Sequence, residues 1–249
     1  MVYKSLRYAI AVTFTVCSSN YLANDLLAIM KYAVTVFAAL LLVGVSAFPF
    51  SNYNDVELNE LDRDIIEFYE LIPLDKLQEV VDDHYDDPEL HKSLKYLTTD
   101  RFHNLMYAVE DLPEFQKYVL YLQEAGYNMI RDLKLTHEIL GMKDYVPPNS
   151  TTENFMVERK KGGGLNGYID DLMKILPTEE IRALHEKKVK ESPAFAKYKA
   201  ALSAPEFEEI NIALFSQKPV IRLLVIANIH GVNFIKINIF KQKVLGFFD

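Results

Sequence analysis

The chain has 249 residues, half of them apolar and a quarter charged, enough for one large or two small globular domains and too apolar to be disordered in bulk. Charge is uneven: residues 48–219 carry 20 basic and 33 acidic side chains, whereas 1–47 have a net charge of +2 and 220–249 of +3. An acidic body repels phosphate backbones and excludes nucleic acid as the expected partner; the one cysteine, Cys17, precedes the expected body and leaves no disulfide or thiolate metal site within it.

In chain order, residues 1–29 carry only a short apolar patch, Ala9 to Val16, and read as an upstream artefact of the gene model. Met30-Lys31, the apolar run Tyr32 to Val45 and the small residues Val45-Ser46-Ala47 form the basic start, hydrophobic core and cleavage pattern of a signal peptide over 30–47. From there, 48–148 reads as a first helical unit. Leu61, Ile65, Phe68 and Ile72 share one face of a helix that Pro73 stops. Asp87-Pro88 and Ser192-Pro193 place a cap before a first-turn proline. Asp111 to Glu114 and Ser203 to Glu206 have capping-box spacing, and Gly126 and Gly141 stand where helices end in a left-handed residue. Starts and stops between Leu61 and Gly141 predict six helices of roughly 8–14 residues, and strand alternation is nowhere sustained.

The pattern returns. Leu77, Val80, Val81 and Tyr85 match Ile181, Leu184, His185 and Val189 at an offset of 104. Pro88, Leu90, Lys92, Leu97, Phe102 and Leu105 then match Pro193, Phe195, Lys197, Leu202, Phe207 and Ile210 at 105. Between the copies, 149–164 ends in three glycines and reads as a flexible linker; Asn149-Ser150-Thr151 in it is a glycosylation acceptor if the chain is secreted. The second copy is expected to be partial, 165–214, because Gln217-Lys218-Pro219 stands where the first has Leu112-Pro113-Glu114. Residues 215–249 read as a divergent tail of translated intron or a divergent exon, with an interfacial lipid-binding segment as the alternative.

No catalytic constellation accompanies the repeat. Asp82-Asp83-His84-Tyr85-Asp86-Asp87 lacks the glycine turn and late glutamate of a calcium loop and reads as a helix end followed by a cap. His137-Glu138 and His185-Glu186 lack a second histidine at zinc-protease spacing. His84, His91, His103, His137 and His185 are scattered, and none coincides between copies. Neither metal, cofactor nor enzymatic activity is expected.

Ile72-Pro73-x-Asp75-Lys76-Leu77-x-x-Val80-Val81, Asp87-Pro88-Glu89-Leu90, Leu94-x-Tyr96-Leu97, Phe102-x-x-Leu105, Leu112-Pro113-Glu114-Phe115 and Tyr121-Leu122-x-x-Ala125-Gly126 together resemble the insect allergen-related repeat family over about Leu58 to Leu214. That family includes cockroach group-one allergens, midgut microvillus-associated proteins and nitrile-specifier proteins of butterfly larvae. The resemblance implies an all-α protein, secreted to the gut lumen or microvillar surface. In it, tandem repeats of short helices form a capsule around an apolar cavity holding fatty acids or phospholipids. Combined with helical spacing, it makes Ile65, Phe68, Leu77, Val80, Val81, Leu94, Leu97, Leu105, Met106, Val109, Val119 and Leu122 the expected lipid-binding stripe. Peripheral association with a gut membrane is a further expectation. A nitrile-specifier-like detoxification factor and a structural microvillar protein are the alternatives.

Overall fold

The structure is a computed structural model that describes residues 58–143, 145 and 163–247; the expected signal peptide, the residues before it and nearly all of the linker lie outside these. Among the described residues there are twelve helices and no strand. In the first unit they are α1 (Glu60–Glu70), α2 (Leu74–His84), α3 (Pro88–Leu97), α4 (Asp100–Glu110), α5 (Pro113–Glu124) and α6 (Met129–Leu140). In the second they are α7 (Gly164–Lys174), α8 (Thr178–Glu191), α9 (Pro193–Leu202), α10 (Pro205–Phe215), α11 (Lys218–Ile229) and α12 (Phe234–Val244).

Proline sets the register of the starts. Asp87 caps α3 by accepting from the Glu89 N–H at 2.8 Å, and Ser192 caps α9 by accepting from the Phe195 N–H at 3.2 Å. The two predicted capping boxes do not form: the caps of α5 and α10 are Leu112 and Ala204, with no side-chain bond. Pro113 and Pro205, with fixed φ and no N–H to satisfy, take the first helical position and move the cap one residue past Asp111 and Ser203. A reciprocal box occurs instead at Asn59 and Asp62, which opens α1. Asp82 to Asp87 is, as read, the end of α2 followed by the cap of α3.

The expected stop of the second unit at Leu214 is corrected. Leu214 lies inside α10, and the tail continues as two more helices, α11 and α12, that bury Val220, Leu223, Ile226, Ala227, Phe240 and Val244. These recur every three or four residues, an apolar stripe of helical period. Exposed Ile221, Val225, Ile235 and Ile239 on the same helices blur that stripe in the sequence. The landmarks of the first unit also return at an offset of 105: Gly126, Asn128 and Gly141 become Gly231, Asn233 and Gly246. Asn128 accepts from the Arg131 N–H at 3.2 Å to open α6, and Asn233 from the Lys236 N–H at 3.1 Å to open α12. Among the described residues both units therefore have six helices.

Gly246 needs its positive φ of 78°, and a Cβ there would sit 2.7 Å from the Cβ of His185. Gly246→Ala is expected to lower stability by about 1–2 kcal/mol from the left-handed backbone alone, with the clash adding to it. A urea melt at an unchanged midpoint would refute this.

The units interlock by a pseudo-two-fold relation. α1 packs on α8 and α9, and its counterpart α7 packs on α2 and α3; α4 packs on α11, and its counterpart α10 on α5. One continuous apolar cluster runs through both, from Leu61 in α1 to Leu245 after α12. Phe195 on α9, fully buried in it, is stacked 5.3 Å from Phe68 of the first unit and 6.4 Å from Phe247.

Candidate binding interior

All twelve residues of the predicted stripe fall in this cluster or against it. They are not equivalent. Ile65 and Phe68 are 0 % exposed, so no space that a water-sized sphere could enter touches them; they are packing residues. Val80, Leu94, Leu97, Leu105, Val109, Val119 and Leu122 are buried with a trace of accessible surface, and Leu77, Val81 and Met106 are half-buried. Partly buried apolar side chains of the second unit, among them Leu184, Phe207, Leu224 and Ile237, pack against the same cluster.

Two groups of interior charges are paired. Asp62, 1 % exposed, receives two parallel bonds from Arg131, at 2.7 and 2.8 Å, which tie α1 to α6. Lys188 on α8 reaches Asp64 at 2.7 Å and Glu67 at 2.6 Å on α1, and Ser192 donates to Asp64 at 2.5 Å. This pins the two units together at the end of α8. Polar groups brought out of water need such partners, because an unpaired one carries its full desolvation penalty.

Four of the five histidines singled out in the sequence have structural partners. His137 binds the Lys143 carbonyl at 2.6 Å and Glu110 at 2.8 Å, and burial holds the Glu110 carboxyl above its ordinary range. His185 binds the Leu245 carbonyl at 2.7 Å, His84 binds Asp171 at 2.8 Å, and His103 binds the Leu97 carbonyl at 3.2 Å. Among the described residues no three His, Cys, Asp or Glu side chains are grouped to hold a metal ion.

Sequence reasoning missed a second set of interior groups. Tyr127 donates to Asp132 at 2.5 Å, and its ring stacks 5.6 Å from Tyr198 of the second unit. Tyr69, Tyr127 and Tyr198 all feel the Asp132 carboxylate, and Asp132 and Lys241 feel each other. Burial pushes the three phenols up and the Lys241 ammonium down. These groups come from α1, the α5–α6 turn, α6, α9 and α12, so no spacing within one helix announces them.

Burial also pushes the Asp132 carboxyl up to about 6, against the pull of the Tyr127 hydroxyl, Lys241 and Arg131. The folded chain then holds this proton more tightly than the unfolded one. The group's contribution to stability is full below about pH 4 and is lost as pH rises through about 6. Stability measured by urea is expected to fall by up to about 3 kcal/mol across that window from this group, and Asp132→Asn is expected to flatten that part of the profile. Superimposable pH profiles for parent and variant would contradict it.

With a helical duplication of six plus six interlocked helices and a shared apolar interior in view, the class of the protein follows. The chain belongs to the insect allergen-related repeat family: the family model, described as insect allergen related repeat, nitrile-specifier detoxification, matches residues 60–238. The match extends through α11 and into α12, in line with a complete second unit. A curated relative is Protein G12 of Anopheles gambiae, 27% identical over 168 residues, which cover 67% of this chain and 75% of that protein.

Among the described residues no single helix is long and apolar enough to cross a membrane. The pair α10 and α11 passes that test only jointly, and it is bent by 73°.

Proposed function

We propose that the chain is a secreted gut protein that binds lipids, fatty acids or phospholipids, in an apolar interior between its two units. The observation that supports this best is the character of the shared cluster. Around a fully packed centre at Ile65, Phe68 and Phe195, both units contribute half-buried apolar side chains such as Leu77, Val81, Met106, Leu224 and Ile237. Long acyl chains gain roughly 0.8 kcal/mol for each CH2 taken out of water, which such surfaces supply without directional bonds. Contact with a membrane during lipid exchange accords with the exposed Ile212 and Phe215 at the end of α10, 61 % and 50 % accessible.

Organic extraction of the purified natural protein, followed by mass spectrometry, tests the reading. Stoichiometric acyl chains are expected; an extract free of lipid, from a protein that also fails to take up fluorescent fatty acid after delipidation, would sink it. A second reading, a detoxification factor, is favoured by the family's nitrile-specifier description. It predicts altered products when the protein is added to glucosinolate undergoing enzymatic breakdown, with no requirement for bound lipid.

A further inference from the structure

The segment that follows α6 is held by a contact with a fixed proton requirement. His137 is buried between two oxygens: its Nδ1 is 2.6 Å from the Lys143 carbonyl, and its Nε2 is 2.8 Å from Oε1 of buried Glu110. Lys143 is gripped on its other side as well, where its N–H donates to the Tyr107 hydroxyl at 2.8 Å. Tyr145 meets the His137 ring edge-on at 5.7 Å. Met142 is buried in the apolar cluster and Tyr145 packs against it. Met142, Lys143 and Tyr145 thus form a strap fastened to α4 through Tyr107 and Glu110.

A neutral imidazole has one N–H and one lone pair, while a carbonyl and a carboxylate only accept. Both bonds of His137 therefore form together only when the pair holds two protons. Either both sit on an imidazolium that faces a carboxylate, or one sits on Nδ1 and the other on a Glu110 carboxyl that donates to Nε2. A third proton, at lower pH, breaks neither bond, since the carbonyl oxygen of a carboxylic acid still accepts. Loss of one proton, at higher pH, sets a ring lone pair against an oxygen lone pair in a place shut off from water, where an unmet polar group carries its full desolvation penalty. The surroundings bear on that loss: burial holds the Glu110 proton most strongly, His137 opposes it, and Asp111 adds to it. The Tyr107 and Tyr145 phenols flank the ring, and burial raises that of Tyr145.

The fold itself does not need this pair. At the offset of 105 the counterparts of Glu110 and His137 are Phe215 and Gln242, both exposed, yet α12 ends as α6 does. The Phe247 N–H reaches the Gln242 carbonyl at 2.9 Å, as the Met142 N–H reaches the His137 carbonyl at 2.8 Å, each just past a left-handed glycine. An ionisable pair kept out of water at one of two equivalent helix ends has a role other than ending a helix. We propose that Glu110 and His137 form a pH-operated latch, which holds the strap of Met142, Lys143 and Tyr145 closed while the two protons are shared and releases it as pH rises. Release uncovers the apolar cluster at this end of the first unit. The latch is independent of what the interior holds, so it does not rest on the lipid-binding reading above.

The test is amide hydrogen exchange of the full-length chain, followed by NMR from about pH 5 to about pH 9, a span that brackets the ordinary imidazole range, and corrected for base catalysis of exchange. Protection of the Lys143 amide is expected to fall about tenfold or more as pH rises, the factor that one broken hydrogen bond represents, while the Phe68 amide inside α1 keeps its protection. Glu110→Gln supplies the contrast. Its side-chain amide donates to Nε2 at every pH and leaves the Nδ1 proton for Lys143, so protection should vary by less than about twofold over the same range. If that variant does not fold, the ring nitrogen shifts of His137 in the parent chain take its place, and their transition must share a midpoint with the loss of Lys143 protection. Constant protection at Lys143 in the parent chain, an equal fall in Glu110→Gln, loss of protection at Phe68 in step with Lys143, or two separate midpoints would each overturn the latch.

Discussion

A chain cut after Ser216 is expected to lose cooperative folding. The cut removes α11 and α12, and with them Val220, Leu223, Ala227, Phe240 and Val244 from the core. Large apolar side chains contribute about 1.5–3 kcal/mol each when fully buried, so the loss is comparable with the whole stability of a domain, about 5–15 kcal/mol. It also strips α4 and α7 of the helices that pack on them, α11 and α12 respectively. Circular dichroism during urea titration should show a broad, non-cooperative change for the truncated chain and a sigmoidal transition for the full one. In limited proteolysis of the full chain, peptides spanning 218–244 should be among the last to be released. Early loss of those peptides, or a sharp transition without them, would count against α11 and α12 as part of the fold.

Arg131→Met should come next in severity. Asp62 would remain at the start of α1 with its carboxylate out of water and its two-pronged partner gone, keeping the Asn59 N–H at 3.0 Å. Removing one member of a buried ion pair costs about 3–5 kcal/mol, mostly because the surviving charge is uncompensated. Asp62→Asn in the same background removes that charge and should recover part of the loss. A double-mutant cycle in denaturant measures the recovery as a coupling energy; additive effects would show that the two groups do not act as a pair.

Much of the fold was legible because it is written in local chemistry. Proline lacks a donor and fixes its own φ, so Pro73, Pro88, Pro113, Pro193 and Pro205 mark helix boundaries wherever they occur. The offset of 104 to 105 was equally plain where core positions retained their size. It faded after Leu214 because the tail has apolar residues on both faces of its helices, Val220 and Leu223 inward and Ile221 and Val225 outward. A periodicity test averages these together. The steadier signal was conformational: Gly231, Asn233 and Gly246 repeat the stop, cap and stop of Gly126, Asn128 and Gly141, because backbone geometry tolerates fewer substitutes there than packing does.

The interior was legible only in part. Helical spacing placed the twelve residues of the predicted stripe on the core side, yet spacing cannot separate a residue such as Phe68, packed against another ring, from Met106, which keeps free surface. The polar set was invisible for a different reason. Tyr69, Asp132, Tyr198 and Lys241 are separated by 43 to 66 positions in the sequence and share no motif; tertiary structure alone makes them neighbours.

The reciprocal packing of the two halves bears on how many molecules it takes to build one body. In a solenoid each repeat leans only on the next, so units can be added or lost singly. Here each half completes the other, and the contacts are blind to whether both halves come from one polypeptide. Two copies can trade second halves and form a closed dimer that keeps the same interfaces. The length of the connecting chain decides between the two: shortening it until it cannot span the two halves of one molecule is expected to favour the exchanged pair over the closed monomer.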